Sequence, residues 1–297
     1  MAYFTEREGD VPPQTDDHIS TEFIEATRGW LEGLCERGWL ARGFPRRCSD
    51  PPQQIIGTNR NAFWGEALTS LRFDSPDPDY LLGDSLPLRV LNLLEFVHRH
   101  VAYPMNADWH AHFSHHHLDF DGPRGKAEFL AEVNDLFSRF GLAYRLEQDT
   151  EGRGHVGRIV PPTLETIIVV GFHTGDTTLD EMLENSVRQF RDPNPTSHRA
   201  AVELLWDVFE RLKTIEIPQD KQKNASADQL LTKAANKNEI KALLEAEFAA
   251  LTGIGNGYTI RHHETYKTSI DTDLDFDWLF LRMFSVIWRV LRATGRV

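Results

Sequence analysis

Phe276-Asp277-Trp278-Leu279-Phe280-Leu281-Arg282-Met283-Phe284-Ser285-Val286-Ile287-Trp288-Arg289-Val290-Leu291 is the stretch on which the fold turns. It covers about four helical turns and holds neither proline nor glycine. Arg282 and Arg289 interrupt its apolar run, which is too short and too charged to cross a bilayer. A helix at the core of a bundle is the reading left. Its predicted span is Phe276 to Thr294, with Gly295 closing it.

The residues upstream carry the same period. His198 to Lys213 places Ala201, Leu204, Leu205, Val208, Phe209 and Leu212 on an apolar face. A second helix is predicted from Ser226, where Ser226-Ala227-Asp228-Gln229 resembles a capping box, to Ala235. A third is predicted from Lys237 to Leu251. Helices of this kind pack as a bundle. Before them, Phe190-Arg191-Asp192-Pro193-Asn194-Pro195-Thr196-Ser197 disfavours a continuing helix and reads as a joint. The predicted domains are therefore 1–190 and 199–297.

The first domain reads as mixed. Thr21 to Arg37 is helical, with Ser20 or Thr21 as cap. Loops rich in proline and aspartate lie at Cys48 to Gln54 and at Ser75 to Pro78. Leu86 to Val101 reads as a buried helix, and residues 125–140 as a helix ended by Gly141. Ala143 to Gln148 and His155 to Val160 read as a hairpin around Asp149 to Gly154. Ile167 to Val170 is β-branched and predicts a third strand or a short buried piece, before a helix from Leu179 to Phe190. The expected fold class is mostly α, with a small α+β N-terminal part and a C-terminal helical bundle.

Composition narrows the function. At 297 residues, 40% hydrophobic and 26% charged, the chain has material for two cores. Two cysteines, Cys35 and Cys48, do not make a disulfide framework and predict reduced thiols. The opening Met1 to Glu8 is charged and lacks an apolar signal core, so a cytoplasmic protein without a membrane partner is expected. A net charge of −13 argues against sequence-blind binding to phosphate backbones. Basic residues nevertheless gather late, from Arg261 and Lys267 to Arg282, Arg289, Arg292 and Arg296. Phosphate-binding-loop, dinucleotide and Gly-x-Ser-x-Gly motifs are absent.

The densest chemical motif is Gly253-Ile254-Gly255-Asn256-Gly257-Tyr258-Thr259-Ile260-Arg261-His262-His263-Glu264. Three glycines permit unusual torsions or a close backbone approach. Arginine can hold phosphate oxygens in two-pronged fashion, and histidine moves protons near neutrality. Asn256 can orient a hydroxyl or a histidine. The competing reading is a helix-helix turn in which Arg261 pairs with Glu264. On the helix before it, Glu203, Asp207 and Glu210 share one face. They could brace Arg261 or Lys267, or pair locally with Arg199, Arg211 or Lys213.

These residues carry a resemblance. Glu203 to Thr214, Leu251 to Glu264 and Asp277 to Phe284 resemble bacterial abortive-infection proteins of the AbiJ-like group, and Phe113 to Asp121 is similar to that group's N-terminal region. The resemblance implies a C-terminal HEPN-like domain, a class often acting as dimeric, metal-independent endoribonucleases. It assigns catalysis to Asn256, Arg261, His262 and His263, support to Asp207, Glu210 and Glu264, and RNA contact to Lys267 and Arg282. No cofactor is implied. The partners implied are RNA, a second copy of the chain and a phage or host protein as trigger. Two departures stand out. Gly255, not arginine, precedes Asn256, and the arginine lies directly before His262. The strict arginine-to-histidine interval recurs only at Arg191 and His198, in the proline-rich stretch. The alternative is a non-catalytic interaction or regulatory module.

A histidine cluster, His110, His112, His115, His116 and His117, is flanked by Asp108, Asp119 and Asp121. In a strand His115 and His117 face one way and His116 the other, so two imidazoles at most are expected to meet one ion. No metal site is predicted there.

Overall fold

A computed structural model describes residues 12–72, 87–219, 221–260 and 268–297. The chain is mostly helical, with strands confined to three two-stranded antiparallel hairpins among the described residues. It divides into two compact units, Met1–Ile159 and Val160–Val297.

The first unit runs α1 (Thr21–Glu36), β1 (Pro45–Arg47), β2 (Ile55–Thr58), α2 (Arg60–Leu71), α3 (Arg89–His100), β3 (Tyr103–His110), β4 (His115–Asp121), α4 (Gly122–Arg139), β5 (Tyr144–Gln148) and β6 (Gly154–Arg158). Ser20 caps α1 by accepting from the Phe23 amide. Helices α1 and α4 meet through stacked rings, Phe23 on Phe137 and Trp30 on Phe129. Phe23, Phe129 and Phe137 are fully buried, each contributing about 1.5–3 kcal/mol of burial. Helix α3 buries Val90, Leu91, Leu93, Leu94, Phe96, Val97 and His98, so it lies within the core. The Asn134 side chain ties α4 to β5, donating to the Leu146 carbonyl and accepting from the Leu146 amide. Gly141, at φ +66°, ends α4 as expected. Gly125 is required by contact, since a Cβ there would sit 2.3 Å from the Tyr103 nitrogen.

The second unit runs α5 (Pro162–Val170), α6 (Thr177–Arg191), α7 (Pro195–Leu212), α8 (Lys223–Ala234), α9 (Asn238–Gly257) and α10 (Asp273–Ala293). Helix α10 buries Phe276, Leu279, Phe280, Met283, Phe284, Ile287, Val290 and Leu291, a stripe of helical period. Arg282 and Arg289 fall off that stripe. Their heads reach Glu247 and the Ala234 carbonyl. Phe190 stacks on Phe280 at a centroid distance of 4.0 Å.

Five expectations change. The unit boundary lies at Ile159–Val160 rather than at 190–199. The proline-rich stretch is the short turn of a helical pair, α6 packed on α7. Asn194 caps α7 and Pro195 occupies its first turn, where a missing amide costs nothing. Of the two readings of Ile167 to Val170, the strand fails and the short buried piece stands, since the segment is helical with Ile167 buried and tertiary packing overrides a weak β preference. Ser226 lies inside α8, where its hydroxyl accepts from the Glu216 and Ile217 amides of the incoming loop. Helix α9 continues through all three glycines to Gly257.

Candidate functional site

Helix α9 carries Asn256 in its last turn, exposed on the rim of a cleft of about 830 Å³ between α7, α8 and α9. Trp206, Glu210 and Lys213 line it from α7, and Lys223 from the start of α8. Gly255 is what lets α9 close on α7. A Cβ there would lie 1.9 Å from Trp206 Cζ2 and 2.2 Å from Cη2, against a normal carbon contact of about 3.5–4.0 Å. Gly253 and Gly257 have open space instead. Position 255 therefore cannot project an arginine into the cleft, which gives the physical reason for one departure from the expected motif.

Arg261, His262, His263, Glu264 and Lys267 lie outside the described residues. Their flanks are defined. Thr259 N–H donates to the Thr268 carbonyl at 2.9 Å, and Thr268 N–H donates to the Gly257 carbonyl at 3.1 Å. Ile260 is buried at 1% exposure. Thr268 is thus fastened to Gly257 and Thr259, beside the last turn of α9 that carries Asn256.

The acidic face of α7 is engaged locally. Glu203 pairs with Arg199, 3.0 Å away. Glu210 pairs with Lys213 at 2.5 Å and also with Lys223. Burial pushes the Glu210 pKa up, but the two ammonium groups outweigh it and hold the carboxyl below its usual range. Burial lowers the Lys213 pKa, against the pull of Glu210. Asp207 is half-buried on the same helix. Arg282 makes two bonds to Glu247, at 2.7 and 3.1 Å, and stands 5.4 Å from the Trp278 ring. A phosphate contact from Arg282 has to compete with that carboxylate. His198 is buried at 3% exposure with Nδ1 3.1 Å from Asp277 Oδ1, so the histidine of the Arg191–His198 interval is part of the bundle's interior.

The histidine cluster departs from expectation. Pairing in β3–β4 sets His110 directly opposite His115, and His117 follows two residues on, on the same face. Three imidazoles, not two, therefore converge. Cys48, from the loop after β1, joins them with Sγ 3.4 Å from His110 Nδ1. His116 turns away, against Trp109 at 4.8 Å. The alternation rule holds within one strand, but it is silent about the partner strand and about a residue 62 positions earlier.

Compared with known proteins, the chain matches no family model, no curated protein and no solved structure. No helix among the described residues is long and apolar enough to cross a membrane.

Proposed function

We propose that this chain is an abortive-infection, anti-phage defence protein. Its C-terminal bundle would be a HEPN-like, metal-independent RNA-cleaving effector acting in the cytoplasm as a homodimer. The first unit senses or regulates, in response to a phage or host protein. The observation that supports this reading is the fastening of Gly257 and Thr259 to Thr268 beside the last turn of α9, where Asn256 lies.

In this reading the RNA's own 2′-hydroxyl attacks the adjacent phosphorus and the 5′-oxygen departs, leaving a 2′,3′-cyclic phosphate. His262 moves the proton, with His263 as the other candidate. Arg261 holds the phosphate and stabilises the charge that builds in the transition state. Asn256 orients a reacting group. Gly255 cannot supply the cation, so the role falls to Arg261.

A second reading, a non-catalytic module that binds a phage or host protein, is favoured by apolar side chains exposed on α10, Leu274 at 79% and Trp278 at 55%. Induced expression in bacteria separates the two. The catalytic reading expects growth arrest with RNA degradation, both abolished in Arg261→Ala/His262→Ala/His263→Ala. Arrest that survives in that variant would instead establish the interaction module.

A further inference from the structure

We infer that Cys48, His110, His115 and His117 form a structural zinc site in the first unit. This inference is independent of the RNA reading. Each residue offers one ligand atom, and all four atoms lie within 4.8 Å of one another. The three imidazole centroids form a near-equilateral triangle, 5.3 Å for His110–His115, 5.3 Å for His110–His117 and 5.4 Å for His115–His117. Tetrahedral zinc with Zn–N bonds of about 2.0–2.1 Å places ring centroids roughly 5.2 Å apart. The same geometry, with Zn–S of about 2.3 Å, separates sulfur from nitrogen by roughly 3.5 Å. Cys48 Sγ and His110 Nδ1 stand 3.4 Å apart.

The unpaired polar atoms make the second argument. His115 Nε2 and both ring nitrogens of His117 are shut off from solvent and have no hydrogen-bond partner. Buried polar atoms are rarely left so, because the lost hydration is not recovered. A cation at the centre of the triangle satisfies one nitrogen on each ring. The third argument lies behind His110. Its Nε2 is 3.3 Å from Asp50 Oδ2 while Nδ1 faces Cys48. A carboxylate on the far nitrogen is the usual outer support of a metal-bound histidine, orienting the ring and raising its basicity.

One thiolate with three imidazoles in tetrahedral array selects zinc among the common divalent ions. Four protein ligands leave no open position, so the site is structural, not hydrolytic. Binding converts the Cys48 thiol to thiolate and releases its proton, while the imidazoles bind neutral. The ion fastens the loop that follows β1 to the tip of the β3–β4 hairpin. That loop is otherwise closed by the Cys48 amide donating to the Gln54 carbonyl at 2.8 Å.

The test uses the full chain, purified on a histidine-free tag, stripped with chelator under reductant and titrated with Co²⁺, then Zn²⁺. The inference expects one equivalent of Co²⁺ with the intense visible absorption of a tetrahedral site and a thiolate-to-cobalt band, both displaced by one equivalent of Zn²⁺. Cys48→Ser should lose the thiolate band. His117→Ala should lose stoichiometric binding. Asp50→Asn, which keeps every ligand and need not disturb the fold, should weaken zinc about 10–100-fold. His112→Ala and His116→Ala should bind as the parent does. An octahedral or absent cobalt spectrum, a thiolate band that persists in Cys48→Ser, or equal loss in the His112 and His116 variants would overturn the site.

Discussion

Substituting alanine for Gly253 and for Gly255, two residues apart on α9, should shift stability in opposite directions. Both glycines are helical, and glycine in a helix interior costs about 1 kcal/mol relative to alanine. At the exposed Gly253 nothing lies within 4 Å of the new methyl, so Gly253→Ala should stabilise by about 0.5–1 kcal/mol. At Gly255 the methyl would meet the Trp206 ring at 1.9, 2.2 and 2.6 Å. Trp206 is 6% exposed and packed against Phe209 at 5.7 Å, so it has little room to retreat. Separating helix from ring by more than an ångström loses packing, and overfilling a core typically costs about 1–3 kcal/mol. Net of the helix gain, Gly255→Ala should destabilise by up to about 2 kcal/mol. Urea unfolding followed by tryptophan fluorescence reports on this unit through Trp206, Trp278 and Trp288. Equal stabilisation by both substitutions would refute the close approach of α9 to α7, and with it the reason position 255 presents no side chain to the cleft.

Burial first, and then Lys126, lower the His98 pKa to about 4 from an ordinary 6.5. The unfolded chain therefore binds the proton more readily. The stability involved is fully present above pH 6.5 and falls by about 3 kcal/mol as pH drops towards 4. His98→Leu should flatten that part of the stability–pH curve, and an unchanged slope would count against it. Asp277→Ala takes a hydrogen-bond partner from the buried His198 ring and should cost about 1–3 kcal/mol in urea unfolding, whereas no measurable cost would make the contact incidental. RNA cleavage should proceed at full rate with magnesium omitted, because no carboxylate cluster of the two-metal type is proposed at the site. Activity that appears only on adding magnesium would contradict that.

Much of the bundle is written plainly in its own residues. The α10 stripe has a single period, and the two arginines that break the apolar run sit off the buried face, so sequence and structure agree turn by turn. Ser20 and Gly141 act locally and were legible for the same reason. The misreadings have a common origin. Asn194-Pro195 is both a loop signal and a helix-start signal, and only the packing of α6 on α7 decides between them. Ser226 looks like a cap, but its hydroxyl is taken by the chain at Glu216 and Ile217. The glycines around Asn256 offered unusual torsions or a close approach, and the second holds at Gly255, which is helical and meets a tryptophan nearly 50 residues earlier. The four-residue cluster at Cys48 was the hardest to read. It needs the register of His110 against His115 and a loop brought in from another hairpin, neither of which alternation within one strand can supply.

The central claim, that the bundle cleaves RNA through its histidine pair, is tested most directly by single substitutions in the full chain. Adjacent helical residues point about 100° apart, so only one histidine can face the phosphate if that segment is helical. The interval from Asn256 favours His262. Cleavage of labelled RNA in magnesium-free buffer, with end-group analysis, should show 2′,3′-cyclic phosphate products. His262→Ala should lower the rate by about 10²–10⁴-fold with the circular dichroism spectrum unchanged. His263→Ala should leave the rate near that of the parent. Undiminished cleavage in both variants would contradict the catalytic account and transfer the function to the interaction module.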